Sequence, residues 1–379
     1  MTKERQIGDK CNALISVCLQ QLTENRIDHS ARTSKCFMAR VTMLSIEQIQ
    51  TACSRSEPVI LGDPLSRLTE LPLQATYYPF GFPVEIATNS EDILRTAENS
   101  WKDFHKLFET QPIQLRVAIT EGHSSTCPPA PLCKVQRNLL SNIADSENFA
   151  VCDIAQSFSF LSLTKAAVAH DTYLRFYFLE AAVLCHLATR YATPIHSGCV
   201  ELNGSGILIC GDSGAGKSTL SYACAQAGWT YITDDGSYLI NDRKDRLIVG
   251  NCNQARFRPS SAMFFPELDG HEVTRRAEDG KPSIELSTAP FEHITRSHTA
   301  HIEHVIFLNR REPKCQELVP FSRDVARYFM RQPLFSTPEM MEIQIAAIER
   351  LLAANVLELR YQNLEWGVER LTRLITEGR

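Results

Sequence analysis

Apolar residues recur along this chain with two periods, and the places where one period gives way to the other mark its elements. Residues 82–86 alternate as a strand, and Thr88-Asn89-Ser90-Glu91 reads as a capping box. The helix it would start has apolar positions at Ile93, Leu94, Ala97, Trp101, Phe104, Leu107 and Phe108. Strict alternation at Ile113, Leu115, Val117 and Ile119 predicts the next strand, and a proline-rich loop follows. A strand, a helix and a strand in this order suggest an α/β module. Residues 148–163 contain further strand-like runs, and 170–191 form a long helical pattern that is apolar on most sides, hence central.

Beyond it the period shortens again. Residues 199–202 and 206–210 flank Asn203-Gly204, the strongest two-residue turn signal, and predict a hairpin. A helix follows from Lys217 to Gly228, and the strand 229–233 runs into Asp234-Asp235. Residues 237–240 and 247–249 predict a second hairpin around a polar turn. A loop-rich stretch begins at Arg256, a strand spans 304–308, and helices open at Ser322 and at Thr337-Pro338. A strand at 356–361 and a helix at 364–375 close the chain. The first segment is less regular: 11–22 fits an amphipathic helix, whereas 25–40 is polar and reads as a mobile or interaction tail. Three regions follow: an N-terminal segment 1–75, helical and partly mobile, an α/β module 76–192, and a phosphate-loop domain 193–379 with C-terminal helices.

Composition narrows the class. With 44% hydrophobic and 22% charged residues the 379-residue chain is globular, and a formal net charge of -5 without a basic stripe argues against nucleic acid as partner. An odd number of cysteines, 13, several inside apolar runs, is the usage of free buried thiols in a reducing compartment. Cys127 and Cys133 lack metal-ligand spacing and read as part of the proline loop. No signal peptide or membrane span is visible, so a cytoplasmic location without membrane contact is expected.

The chemistry concentrates at Gly211, Asp212, Ser213, Gly214, Ala215, Gly216, Lys217 and Ser218, which match G-x-x-x-x-G-K-[ST] between a strand and a helix. Glycines let the backbone adopt positive φ and turn its amides on phosphate oxygens. Lys217 adds charge for the β and γ phosphates, Ser218 a hydroxyl for Mg²⁺, and the helix start, with Thr219 in its first turn, a positive dipole end. ATP and Mg²⁺ are the expected cofactors. Asp234 and Asp235 are neighbours on an extended chain, so they face opposite ways. They suit either a metal-and-acceptor pair or a simple strand-to-turn junction. His196 by itself reads as a strand-end residue, and Arg256, Arg258 and Lys281 as loop cations that could clamp phosphate.

Taken in order, His196 before a strand pair, the loop GDSGAGKS, the helix and the strand end TDD resemble the C-terminal domain of bacterial HPr kinase/phosphorylase and its serine-kinase relatives. The resemblance covers 194–240, with fainter likeness around 305–308 and in the C-terminal VLELRYQNLEWGVERL. It implies an α/β fold related to phosphoenolpyruvate carboxykinase, a mixed sheet with flanking helices carrying the phosphate loop, and transfer from ATP to a serine hydroxyl. It also implies Asp234 as base toward the acceptor, Asp235 as metal-side carboxylate and His196 as the partner of Asp234. The acceptor is expected to be a protein, a peptide or a small molecule such as free serine, and homo-oligomers occur in such a family. A nucleotide-binding switch without turnover is the other class that the loop allows.

Overall fold

The computed structural model describes residues 69–136, 138–275, 281–310, 316–334 and 336–378, so the helix and tail expected at 11–22 and 25–40 lie outside the described residues. Seven strands form the first sheet: β1 (Leu73–Tyr77), β2 (Val84–Thr88), β3 (Ile113–Thr120), β4 (Leu132–Gln136), β5 (Leu139–Ile143), β6 (Phe149–Asp153) and β7 (Phe158–Thr164), in the order β1-β2-β3-β7-β6-β5-β4. β2, β3 and β7 run parallel, and the remaining neighbours antiparallel. Parallel β2 and β3 are joined through helix α1 (Glu91–Trp101), since a parallel pair needs a crossover.

Two details of α1 depart from the sequence pattern. Ser90 occupies the N-cap without a side-chain hydrogen bond, and Thr88 Oγ1 takes only the Ser90 N–H, so no capping box forms. Asn89 instead bonds both the N–H and the C=O of Ile119 at the end of β3, which ties the helix start to the sheet. The helix also stops at Trp101 rather than continuing through Phe108. Leu107 and Phe108 donate their N–H groups to Gly81 O, and Leu107 lies so close to Gly81 that an added Cβ would meet it at 2.5 Å. Tertiary contacts override the helical period there.

Helical chain from Asp171 to Tyr191, called α2 here, packs on this sheet; it alternates α-helical turns with π-helical ones at Arg175–Glu180 and Leu187–Tyr191. Such wide turns are uncommon and re-aim the side chains they carry.

The rest of the described chain is built on β8 (Ala192–Leu202), β9 (Ser205–Cys210), β10 (Thr230–Thr233), β11 (Gly236–Ile240) and β12 (Leu247–Gly250). Where sequence periodicity suggested a loop-rich stretch, a three-stranded sheet appears: β13 (Gln254–Phe257), β14 (Val273–Thr274) and β15 (Ser283–Ser287), in the order β13-β15-β14. β16 (Thr299–Asn309), β17 (Glu317–Pro320) and β18 (Asn355–Arg360) complete the strands. The eleven-residue strands β8 and β16 are longer than the sequence pattern indicates, and each serves two neighbourhoods. β8 pairs with β11, β11 with β12, β12 with β16, β16 with β9 and β9 with β8, so the ladder closes on itself. Ile195, Leu208, Leu239, Ile248 and Ile302 share one core cluster at this closure.

Helices α3 (Lys217–Gln226), α4 (Arg323–Arg331), α5 (Pro338–Leu351) and α6 (Leu364–Glu377) flank these strands, the last three capped through Ser322, Thr337 and Asn363 hydroxyl or amide oxygens. The protein is therefore a mixed α/β structure with several sheets. Among the described residues no helix is long and apolar enough to cross a membrane. The β11–β12 hairpin joins the two larger sheets: Tyr238, Ile240, Leu247 and Val249 belong to the core cluster of the first sheet.

Candidate functional site

β9 ends at Cys210 and α3 begins at Lys217, so the six residues between them form the loop. Its three glycines hold positive φ: 148° at Gly211, 82° at Gly214 and 100° at Gly216. At Gly216 an added Cβ would also come within 3.2 Å of Tyr361 Oη and 3.6 Å of Arg310 Nη1. Arg310, the residue after β16, and Tyr361, the residue after β18, therefore lie against the loop, with the guanidinium carbon 5.6 Å from the tyrosine ring centre. Asp212, Ser213 and Gly214 are exposed, and Arg258 donates to Ser213 Oγ at 3.1 Å. No side chain caps α3 at Gly216, which leaves its first amides to the loop's concave side. Lys217 is buried and donates to the carbonyls of Gly211 and Asp212 at 2.9 and 3.2 Å.

β10 and β8 bring the acidic pair and the histidine to this loop. β8 pairs His196 with Gly236 across the ladder, directly after Asp234 and Asp235. The two carboxylates occupy different surroundings. Asp234 is buried; Oδ1 accepts from Tyr231 Oη at 3.2 Å and Oδ2 from the Arg256 N–H at 3.1 Å, and the Ser218 hydroxyl lies close enough to favour its ionised form. Burial, reinforced by the charge of Asp235, pushes its pKa up to about 6 against the pull of those three donors. Asp235 is 40% exposed and lies 3.2 Å from His196 Nδ1. The pairing differs from the one the motif order implied: His196 partners Asp235, and Asp234 sits beside Ser218. Adjacent residues on an extended chain diverge, and only the register of β8 against β11 decides which of them meets the histidine.

Behind Asp234 lies a polar network that sequence patterning missed. Arg256 and Glu285 are opposed across β13 and β15, with Arg256 Nε 3.8 Å from Glu285 Oε1 and donating to Ser283 Oγ at 2.8 Å. Glu285 Oε2 accepts from Gln254 Nε2 at 2.7 Å and from Arg175 Nη2 at 2.5 Å. Arg175 comes from the first π-helical turn of α2, and its Nε is 3.8 Å from Glu180. The alternation of Gln254 and Arg256 with buried Ala255 and Phe257 was a legible strand signal. Their joining to Arg175 was not, since it spans more than a hundred residues of sequence.

A cavity of about 570 Å³ opens between the 103–107 segment and the 252–253 and 294–299 segments. There Cys252 Sγ lies 3.3 Å from His298 Nδ1, whose Nε2 is 3.0 Å from Asp103 O, and burial raises the thiol to about 12. Tyr231, outside the lining of this cavity, donates its hydroxyl to Asp234 Oδ1 and lies 3.2 Å from Gln254 O. Cys127 is exposed and Cys133 buried, both free. No group of three or more metal-ligating His, Cys, Asp or Glu side chains occurs among the described residues.

No family model matches the chain, and no curated protein matches it. Among solved structures it is similar to the Hpr(Ser) kinase/phosphatase from Coxiella burnetii, at 14% identity over 49% of this chain and 99% of that one, with a TM-score of 0.28. A likeness of that size carries neither reaction nor substrate.

Proposed function

We propose that the chain is an ATP- and Mg²⁺-dependent phosphotransferase of the HPr kinase-like type, passing the γ-phosphate to a serine-type hydroxyl of a protein, a peptide or a small molecule. The observation that supports it most directly is the division of surroundings within Asp234-Asp235: the buried carboxylate faces the loop's Ser218, and the other, 40% exposed, lies 3.2 Å from His196 Nδ1. Phosphoryl transfer needs those two services on either side of the phosphate, one for metal and one for the attacking hydroxyl.

Residues 211–219 would cradle the phosphates through their amides, with Lys217 moving from its carbonyl partners to the β and γ oxygens. Ser218 and Asp234 form an all-oxygen donor set, which suits a hard cation that takes its remaining ligands from phosphate and water. Bound there, Mg²⁺ supplies neutralisation of the phosphate charge. Asp235 accepts the proton of the acceptor hydroxyl, and His196 orients that carboxylate. These roles exchange those that the family order implied for Asp234 and Asp235. Arg310 adds a cation against the loop for transition-state charge. In domain terms 193–379 carries the chemistry, and 76–192 supports it through Arg175.

The test is phosphate transfer from ATP, followed by mass, with cell extract and free serine as acceptor sources. Transfer that disappears in Asp235→Asn while nucleotide binding persists is the expected result. Tight nucleotide binding with no transfer to any acceptor would overturn the reading in favour of a switch.

A further inference from the structure

Arg256 is held near its base by the network behind Asp234, while among the described residues the end of its side chain is left unengaged. Its backbone N–H and its Nε are engaged, by Asp234 and Ser283, but among the described residues neither Nη nitrogen has a hydrogen-bond partner. The side chain is only 22% exposed. The terminal nitrogens stay open to solvent, so a guanidinium held in one orientation presents an unused fork to an incoming anion. Its orientation is held from both sides. Glu285 faces it across the ladder and is itself gripped by Gln254 and by Arg175, while Asp234 and Asp235 both act on its charge. Ala255 and Phe257, the alternating neighbours on β13, are locked in the aromatic core with Tyr222 and Phe265. The strand cannot swing the arginine away.

We infer that the two terminal nitrogens of Arg256 receive the carboxylate of the phosphate acceptor, so that the acceptor class is a hydroxyl placed next to a carboxylate. The inference rests on the phosphotransferase reading, because Asp235 must receive the hydroxyl of the same molecule. The planar fork of arginine matches a carboxylate bidentately. A dianionic phosphate would also fit the fork, but Asp234, Asp235 and Glu285 already crowd it, and a second negative charge adds repulsion that a monoanion avoids. Two sources carry this chemistry: a free hydroxy amino acid, and a peptide whose last residue bears both the hydroxyl and the terminal carboxylate.

The experiment uses the full chain with ATP and Mg²⁺ and five acceptors: free serine, serinamide, a peptide ending in serine, the same peptide amidated, and a peptide with an internal serine. Transfer is read by mass and nucleotide affinity by calorimetry. The expected result is that amidation lowers kcat/KM on the order of 10- to 100-fold, as loss of a charge-assisted pair does. Free serine against the unamidated peptide identifies the source. Arg256→Gln should abolish the preference for the free carboxylate and leave the nucleotide Kd within about twofold, with Arg256→Lys restoring part of it as a point charge. The acceptor comparison is made on the wild type, so it stands even where a variant folds poorly. Equal transfer to amidated and free acceptors, or to the internal serine alone, overturns the inference and leaves the kinase reading intact. Absence of both nucleotide binding and transfer overturns the two together.

Discussion

Asp234 carries a cost that the site requires. With its pKa raised to about 6, the folded state favours the protonated carboxyl, so this group's contribution to stability is present below its ordinary range near 3.8 and is lost as pH rises through 6. In buffer free of divalent metal, denaturant melts should show stability falling by on the order of 2–3 kcal/mol across that window from this residue. Asp234→Asn should flatten that part of the curve; an unchanged slope would mean that burial does not disfavour the charge. At the same scale, Lys217→Ala should weaken ATP binding roughly 100-fold, since it removes the loop's fixed charge. Asp235→Asn should leave nucleotide affinity near wild type and lower kcat by roughly 10²–10⁴-fold, the range for a lost general base. Equal losses from Asp234→Asn and Asp235→Asn in Mg²⁺-dependent nucleotide binding would show that the two carboxylates do not divide the work.

Elements decide which side chains reach the loop. β9 and β16 run parallel at the barrel-like closure, and an added Cβ at Gly206 would lie 2.5 Å from His301 O. That neighbour is backbone and cannot rotate away, so Gly206→Ala should cost at least about 2 kcal/mol in a chemical melt. A silent substitution would mean that the two strands do not approach so closely. β16 matters beyond packing, because its end delivers Arg310 to the loop. The sequence pattern showed this strand's core, but its extension to Thr299 comes from pairing with β12, which periodicity within one segment does not report.

Across the whole molecule the two halves of the described chain meet at a polar seam, between α2 and the three-stranded sheet, as well as at an apolar one. Arg175 of α2 and Glu285 of β15 are both 18% exposed and pair at 2.5 Å, so removing one partner strands a buried charge. Arg175→Ala should lower stability by about 3–5 kcal/mol, and Arg175→Ala with Glu285→Ala by clearly less, a double-mutant cycle that isolates the pair. Additive losses would mean that the two charges do not depend on one another. Phe104 stacked on His298, and Gln344 donating to Ala188 O at 2.5 Å, join the same halves elsewhere.

The sequence alone determined what depends on neighbours a few residues away. The loop's glycines and lysine, the Asn203-Gly204 turn with φ of 52° and 80°, and the Ser322 and Thr337 caps are local chemistry, written in consecutive residues. Period-2 alternation likewise located β3, because its faces are distinguished within eight residues. Pairing between distant segments belonged to the tertiary structure. Which aspartate meets His196 depends on strand register, a shift of one residue being enough to exchange them. The Arg175–Glu285–Arg256 chain and the end of α1 at Trp101 depend on contacts across separate elements, whose energies outweigh the helical and loop preferences of the segments themselves.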